Sequence, residues 1–292
     1  MKKPEPGSGT APAFFSTQVA QASRFYLNLK PAARGPLAFV CGGAEQCAAD
    51  YEIHRATFPV HSIEFVAQGS GTLQMRGTEH RLQPGTVFSY GPGIPHHITT
   101  RPGAPLVKYF IDFTGREAVP LLGRAKLRPG AVAQVYPPAE IQPLFDELIR
   151  NGRRGTALAA TVCGQLLRAL VLKIADSRAP LPGQDTLAFA TYQHCLAHFR
   201  REFLRLRSVT QAAAECHVDD AYLCRLFQRY DHQSPRQLLV RLKMNHAAER
   251  LQSPGVLVKQ VAEETGYTNP FHFSRVFKSV FGLPPTGLEK MR

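Results

Sequence analysis

Cysteine is scarce in this chain. Six occur in 292 residues, at positions 41, 47, 163, 195, 216 and 224. They are too few and too scattered for a disulfide framework, and no CxxC pair suggests a structural zinc site. They read as reduced thiols, which suits a cytoplasmic protein. Long apolar runs are also missing. The most apolar stretch, Thr156 to Ala175, carries Gln165, Arg168 and Lys173, each costly at a bilayer centre, so no membrane span is expected. Lys2 and Lys3 precede a Pro-containing segment, Pro4 to Pro12, rather than an apolar run, so no secretory signal is expected. No catalytic constellation stands out, and neither an enzyme nor a cofactor is expected.

What is present points to two folded parts. A length of 292 residues suits two domains at roughly 100 to 200 residues each. The composition, 44% hydrophobic and 20% charged, excludes wholesale disorder. The net charge of +13 favours an anionic partner without locating its site. Glycine and proline divide the chain: 37 of residues 1–184 are Gly or Pro, against 9 of residues 185–292. A turn-rich first part therefore gives way to a helical second part.

In the first part, 1–13 reads as a flexible arm. Leu37 to Cys41, Ser62 to Ala67, Thr72 to Arg76, Thr86 to Tyr90 and Leu106 to Phe113 are short strand-like runs between turn signals, as in a small antiparallel barrel or sandwich. Ile141, Leu144, Phe145, Leu148 and Ile149 have the spacing of an amphipathic helix, which Asn151 to Gly155 should break. A second helix, about Thr156 to Asp176, is apolar almost all round, suiting a core or a dimer interface. Residues 179–184, with Pro180, Pro182 and Gly183, read as a linker.

The second part repeats itself. Val209, Gln211, Ala213 and Glu215 recur 49 residues later as Val258, Gln260, Ala262 and Glu264, while Arg225, Phe227 and Pro235 recur 50 later as Arg275, Phe277 and Pro285. One residue is inserted at the intervening turn. Each copy reads as helix, tight turn, helix. Asp219 and Asn269 suit helix caps, Pro270 a first helical position, and Gly266 a left-handed turn for which His217 is a less comfortable substitute. Ser234 to Gln252 reads as one helix of roughly 28 Å, able to hold the copies about one DNA turn apart.

The segment VKQVAEETGYTNPFHFSRVFKSVFGLPP (258–285), after DDAYLCRLFQRYDHQSPRQLL, resembles the AraC family of transcription regulators. The resemblance covers about 185–292. It implies double-stranded DNA as partner, read by Ala221, Cys224 and Arg225 in the first unit and by Pro270, Phe271, Ser274 and Arg275 in the second. Arg225 and Arg275 suit guanine, Phe271 and Ala221 suit thymine methyls, and Arg229 and Lys278, one turn on, suit phosphates. Asp219 is accounted for as a cap. Asp220 is a departure expected to repel DNA and weaken the first unit.

Upstream, Gly85, Gly91, Pro92, Gly93 and His96 nearly match the second cupin motif, and Glu64 and Gly71 match the end of the first. This resembles a cupin barrel, the usual sensor of AraC-like regulators, and extends the likeness over about 20–175. It implies a small-molecule effector, a homodimer formed through the helices, and RNA polymerase as a further contact. Phe58, Glu64, His80, Tyr90, His96 and Tyr109 are the candidate effector contacts if strand alternation holds. A metal-dependent cupin enzyme with an accessory helical domain is the alternative, through His61, Glu64 and His96 or His97. Against it, His61 is out of register and Thr100 replaces the motif's Asn, so no metal is expected. Phe14, Phe15, Phe25 and Tyr26 suit either a cover on the barrel mouth or a cap on its core. His194 and His198, flanking Cys195, read as a packing surface, and Cys216 and Cys224 as buried thiols.

The expected fold is thus multidomain α and β. A cupin-like effector domain (14–139) and a helical dimerisation segment (140–178) precede the linker, and 185–292 holds two helix-turn-helix units on a long helix. The expected function is a ligand-responsive, sequence-specific DNA-binding regulator. Activation and repression are both left open, since they depend on where the site lies relative to polymerase.

Overall fold

The computed structural model describes residues 16, 18–30, 35–181, 186–231, 233–253 and 255–289. The expected arm, with Phe14 and Phe15, and residues 182–184 of the expected linker lie outside them. The chain divides into two compact units, Met1–Pro182 and Gly183–Arg292.

The first unit is β-rich. Its strands are β1 (Val19–Tyr26), β2 (Ala38–Cys47), β3 (Glu52–Arg55), β4 (His61–Gln68), β5 (Gly71–Met75), β6 (Thr78–Leu82), β7 (Thr86–Tyr90), β8 (His96–Thr100) and β9 (Val107–Thr114). The helix α1 (Ala118–Arg124), β10 (Val132–Val135), α2 (Gln142–Arg153), α3 (Ala159–Asp176) and β11 (Arg178–Ala179) follow. Two antiparallel sheets form, in the orders β1-β2-β9-β4-β7-β10-β11 and β3-β8-β5-β6. They face each other across a core that includes Phe58, Val66, Leu73, Phe88, Tyr90 and Ile98.

Alternation along β4 and β9 makes the larger sheet two-sided. Ile63, Phe65, Tyr109, Ile111 and Phe113 face α1, α2 and α3 in one core. Glu64, Lys108, Phe110 and Asp112, on the opposite faces of these strands, point between the sheets. Phe25 belongs to the helix-side core and lies so close to α2 that a Cβ on Gly152 would fall 2.1 Å from its ring. Of the two roles considered for Phe25, it therefore takes the core. Tyr26 is half-exposed.

Five strands fall where the sequence runs place them. Among those missed, β1 (VAQASRFY), β3 (EIHR), β6 (TEHRL) and β8 (HHITT) are rich in polar residues, because one face of each is open. The helix expected to break at Asn151 runs to Arg153 instead. There Asn151 Nδ2 donates to the Glu147 carbonyl at 2.8 Å, and the chain turns only at Gly155, φ +61°. Ala179, assigned to the linker by its neighbouring prolines, pairs with Gln134 in β11.

The second unit is helical: α4 (Thr186–Glu202), α5 (Val209–Glu215), α6 (Asp220–Tyr230), α7 (Pro235–Leu251), α8 (Val258–Glu264), α9 (Pro270–Phe281) and α10 (Pro285–Glu289). It contains two cores. Phe199, Ala213, Leu223, Phe227, Leu238 and Leu239 fill the first, and Met244, Ala247, Val261, Phe273 and Phe277 the second. α7 contributes to both, at about 26 Å for its 17 residues. A full capping box at Ser234 and Gln237 fixes where it starts.

Candidate DNA-reading face and sensor cavity

Each helix pair of the second unit is joined by a turn that sets how its second helix is presented. Gly266 has φ +82° and His217 φ +57°, so His217 accepts the left-handed conformation that glycine takes more cheaply. Asp219 caps α6 by accepting from Tyr222 N at 2.7 Å. Asn269 caps α9, accepting from Phe271 N at 2.8 Å and His272 N at 3.2 Å. In the second unit Lys243, buried on α7, donates to the Thr265 carbonyl at 2.8 Å and ties that turn to the connecting helix.

Leu223, Leu226 and Phe227 hold α6 on its core, so Ala221, Cys224, Arg225 and Arg229 are left exposed. Phe273 and Phe277 do the same for α9, leaving Phe271, Arg275 and Lys278 exposed and Pro270 and Ser274 half-exposed. Phe271 is 82% exposed. The Arg225 guanidinium lies 5.7 Å from the centre of the Tyr222 ring. Ser274 Oγ donates to its own helix at the Pro270 carbonyl, 2.9 Å, which spends its only proton. Cys224 is exposed, unlike Cys216, so the expectation of two buried thiols holds for Cys216 alone. The helix turns Cys224 outward one residue beyond the buried Leu223.

Asp220 has a local role that spacing did not reveal. Its Oδ2 accepts from Thr210 Oγ1 at 2.5 Å, joining α5 to the first turn of α6, where a helix favours negative charge. Several other charges in this unit are matched. Arg205 pairs with Glu202 and Glu215, Arg250 with Glu264, and His198 with Glu215. Arg225, Arg275 and Lys278 have no carboxylate partner among the described residues.

The first unit has a partly open cavity of about 20 Å³, room for about one water, lined by Ser16, Ile53, Arg55, Phe58, Phe110 and Tyr90 with the ionisable Glu45, Glu64, Lys108 and Asp112. Lys108, only 3% exposed, places Nζ 3.1 Å from Glu45 and 3.0 Å from Glu64. Its ammonium also lies 5.4 Å from the Tyr51 ring centre and 5.7 Å from that of Phe110. Arg24 completes the pairing of Glu45 at 2.8 Å, and Tyr90 OH donates to Glu64 at 2.5 Å. Burial works against charge here, yet Lys108 and Arg24 hold the Glu45 carboxyl below its ordinary range. The two glutamates likewise keep Lys108 charged well above its own. Asp112 lacks so close a cation. Burial pushes it up to about 7, against the nearby Ser62 hydroxyl and Cys41 thiol, and Cys41 Sγ donates to it at 3.2 Å.

Of the six candidate effector contacts, the structure brings Phe58, Glu64 and Tyr90 together at this cavity. His96 is next to them, its ring 3.9 Å from that of Tyr90. Burial lowers its pKa. His80 lies opposite Leu73 on β6, at the end of the smaller sheet and away from the lining. Tyr109 is on the wrong face: it packs on Phe145 and accepts from Gln142 at 3.1 Å. The parity of β9 sends residues 108, 110 and 112 inward, so 109 must face the helices.

The same parity separates His61 from Glu64 on β4. His61 lies against Phe113 on the helix side, three residues and therefore one face away from Glu64. His97 pairs with Glu52 at 2.7 Å. These residues do not converge on one ion. Of the residues that sequence reasoning missed, Glu45, Lys108 and Asp112, the last two carried a usable signal. In VKYFIDF, two charges interrupt a run that is apolar on both faces, as buried ions do.

A two-sheet domain with a charged cavity, followed by two helix-turn-helix units with outward basic helices, is the arrangement of a ligand-responsive DNA-binding regulator. Similarity agrees. The family model for an AraC-like ligand binding domain matches residues 41–167 and that for a helix-turn-helix domain 212–291. The raffinose operon transcriptional regulatory protein RafR of Pediococcus pentosaceus is 33% identical over 261 residues, 85% of this chain and 91% of that protein. The MmsAB operon regulatory protein of Pseudomonas aeruginosa is 23% identical over 245 residues (82% and 78%). The lactose operon transcription activator of Staphylococcus xylosus is 21% identical over 230 residues (76% and 80%). The chain belongs to the AraC family of transcription regulators. No helix among the described residues is long and apolar enough to cross a membrane.

Proposed function

We propose that this regulator acts in the cytoplasm as a homodimer, without catalysis, changing RNA polymerase activity at its sites in response to a small molecule held between the sheets of the first unit. The observation that carries this reading is the paired presentation of α6 and α9 from one connecting helix. Two outward rows, Ala221, Cys224, Arg225 and Arg229 on one helix and Pro270, Phe271, Ser274, Arg275 and Lys278 on the other, are the DNA-contacting set. Arg225 and Arg275 read guanine edges, and Arg229 and Lys278 hold phosphates. Phe58, Glu64, Tyr90 and His96 are the effector contacts, and because the cavity has room for about one water, a ligand there must open it by rearranging the Lys108 ion pairs. The working division is a sensor over 14–139, a dimerising segment over 140–178 and a DNA-binding domain over 185–292.

The dimer is supported by the outer face of α3. Leu158, Val162, Gln165, Ala169 and Leu172 are all exposed and follow one another at intervals of four, three, four and three residues, the seam spacing of a coiled coil. Leu158 is 67% and Leu172 53% exposed, a large apolar surface for a helix whose other side fills the core. In sedimentation, the wild type is expected at twice the monomer mass and Leu172→Lys at the monomer mass with unchanged thermal stability. A monomeric wild type would refute the dimer.

A further inference from the structure

The waist between the two helix-turn-helix units carries a basic groove between the connecting helix and the C-terminal end of α9, beyond the base-reading row. It is lined by Gln233, Arg236, Gln237, Val240 and Arg241 of the α7 end and by Ser279 and Val280 of α9. No lining residue among those described is acidic. Arg236 and Arg241 are exposed and have no carboxylate partner among the described residues, although Arg205 and Arg250 on the same unit are held by glutamates. An arginine left unpaired where carboxylates serve its neighbours points to an anion from outside.

Position says which anion. On α7, Leu238 and Leu239 pack in the first core and Met244 in the second, so Val240 and Arg241 lie between the two units. Ser279 lies one turn beyond Arg275 on α9, so the groove adjoins the row of side chains proposed to read bases. Two recognition helices in successive major grooves leave one stretch of minor groove, with its flanking phosphates, opposite the protein between them. We infer that this groove, through Arg236 and Arg241, holds the DNA sugar-phosphate backbone in the gap between the two base-read segments. The inference rests on the DNA-reading assignment above and adds a third contact to it. Because phosphates carry no sequence, these arginines add affinity and fix the register of both readers without changing which bases are preferred.

The test uses the full-length protein and its selected duplex. Affinity is measured against salt for wild type and for Arg236→Gln/Arg241→Gln, on duplexes with and without neutral methylphosphonates at the gap phosphates. The expected result is a loss of about 1.8 in the salt slope for two lost contacts at about 0.9 each, with base preference retained. Methylphosphonates should weaken the wild type and leave the double variant unaffected. Equal sensitivity of the two proteins to the gap phosphates would overturn the inference. So would unchanged binding with reduced transcription, which would assign the groove to a protein partner such as polymerase. If the wild type selects a site yet ignores the gap phosphates, only this inference fails. If it selects none, the DNA-reading assignment fails first.

Discussion

Replacing Lys108 by Met removes the cation shared by two buried carboxylates. Glu45 keeps Arg24 at 2.8 Å, but among the described residues Glu64 is left with the Tyr90 hydroxyl alone, and both carboxylates are nearly inaccessible. Breaking a buried ion pair from one side costs about 3 to 5 kcal/mol, because the remaining charge is uncompensated. Against a domain stability of about 5 to 15 kcal/mol, that loss is severe. Adding Glu64→Gln removes the stranded charge, so the double variant should recover most of the loss. Urea unfolding followed by hydrogen exchange at the β4 and β9 amides reports on the first unit alone. A loss below about 1 kcal/mol for Lys108→Met, or a double variant no more stable than the single one, would refute the assigned role of Lys108.

Other expectations concern single groups. Asp112 is raised in the folded state to about 7, so the folded chain binds more protons than the unfolded chain above the ordinary carboxylate range, and stability falls as pH rises from about 4 to 7. Asp112→Asn should remove on the order of 2 to 3 kcal/mol of that fall between about pH 5 and 8, and an unaltered pH profile in denaturation would contradict it. His217→Gly should stabilise the second unit by up to about 1 kcal/mol by relieving the left-handed backbone, and a lower melting temperature would count against the argument. In binding assays, Arg275→Ala should cost about 1 to 3 kcal/mol with selectivity lost at one base position. Lys278→Ala should reduce the salt slope by about one and act evenly on all sequences. Identical behaviour of the two variants would contradict their separate roles.

The helical half was legible because its signals are local. Capping residues, a glycine turn and helical spacing recur in both copies, and each constrains only a few neighbours. The connecting helix was placed to within a residue at either end by Ser234 and Gln252. The β half was less legible. Strands such as β6 and β8 have one open face, so their polar composition resembles a loop, and only pairing across the sheet makes them strands. The cavity residues suffered from a parity problem. Tyr109 and Lys108 are adjacent in sequence, yet one meets Phe145 and the other Glu64, and a choice of aromatic residues by type picked the wrong face. Glu45 could not be placed from sequence, because its partners Arg24 and Lys108 lie 21 and 63 residues away.

The central claim is that α6 and α9 read one DNA site together. Selection of bound duplexes from a random pool by the full-length protein, at moderate salt, tests it most directly. The account predicts enrichment of a site with two defined segments about one helical turn apart, the preference at one segment changing in Arg225→Ala and at the other in Arg275→Ala. Recovery of a pool without sequence preference, or a single segment altered by both substitutions, would contradict it.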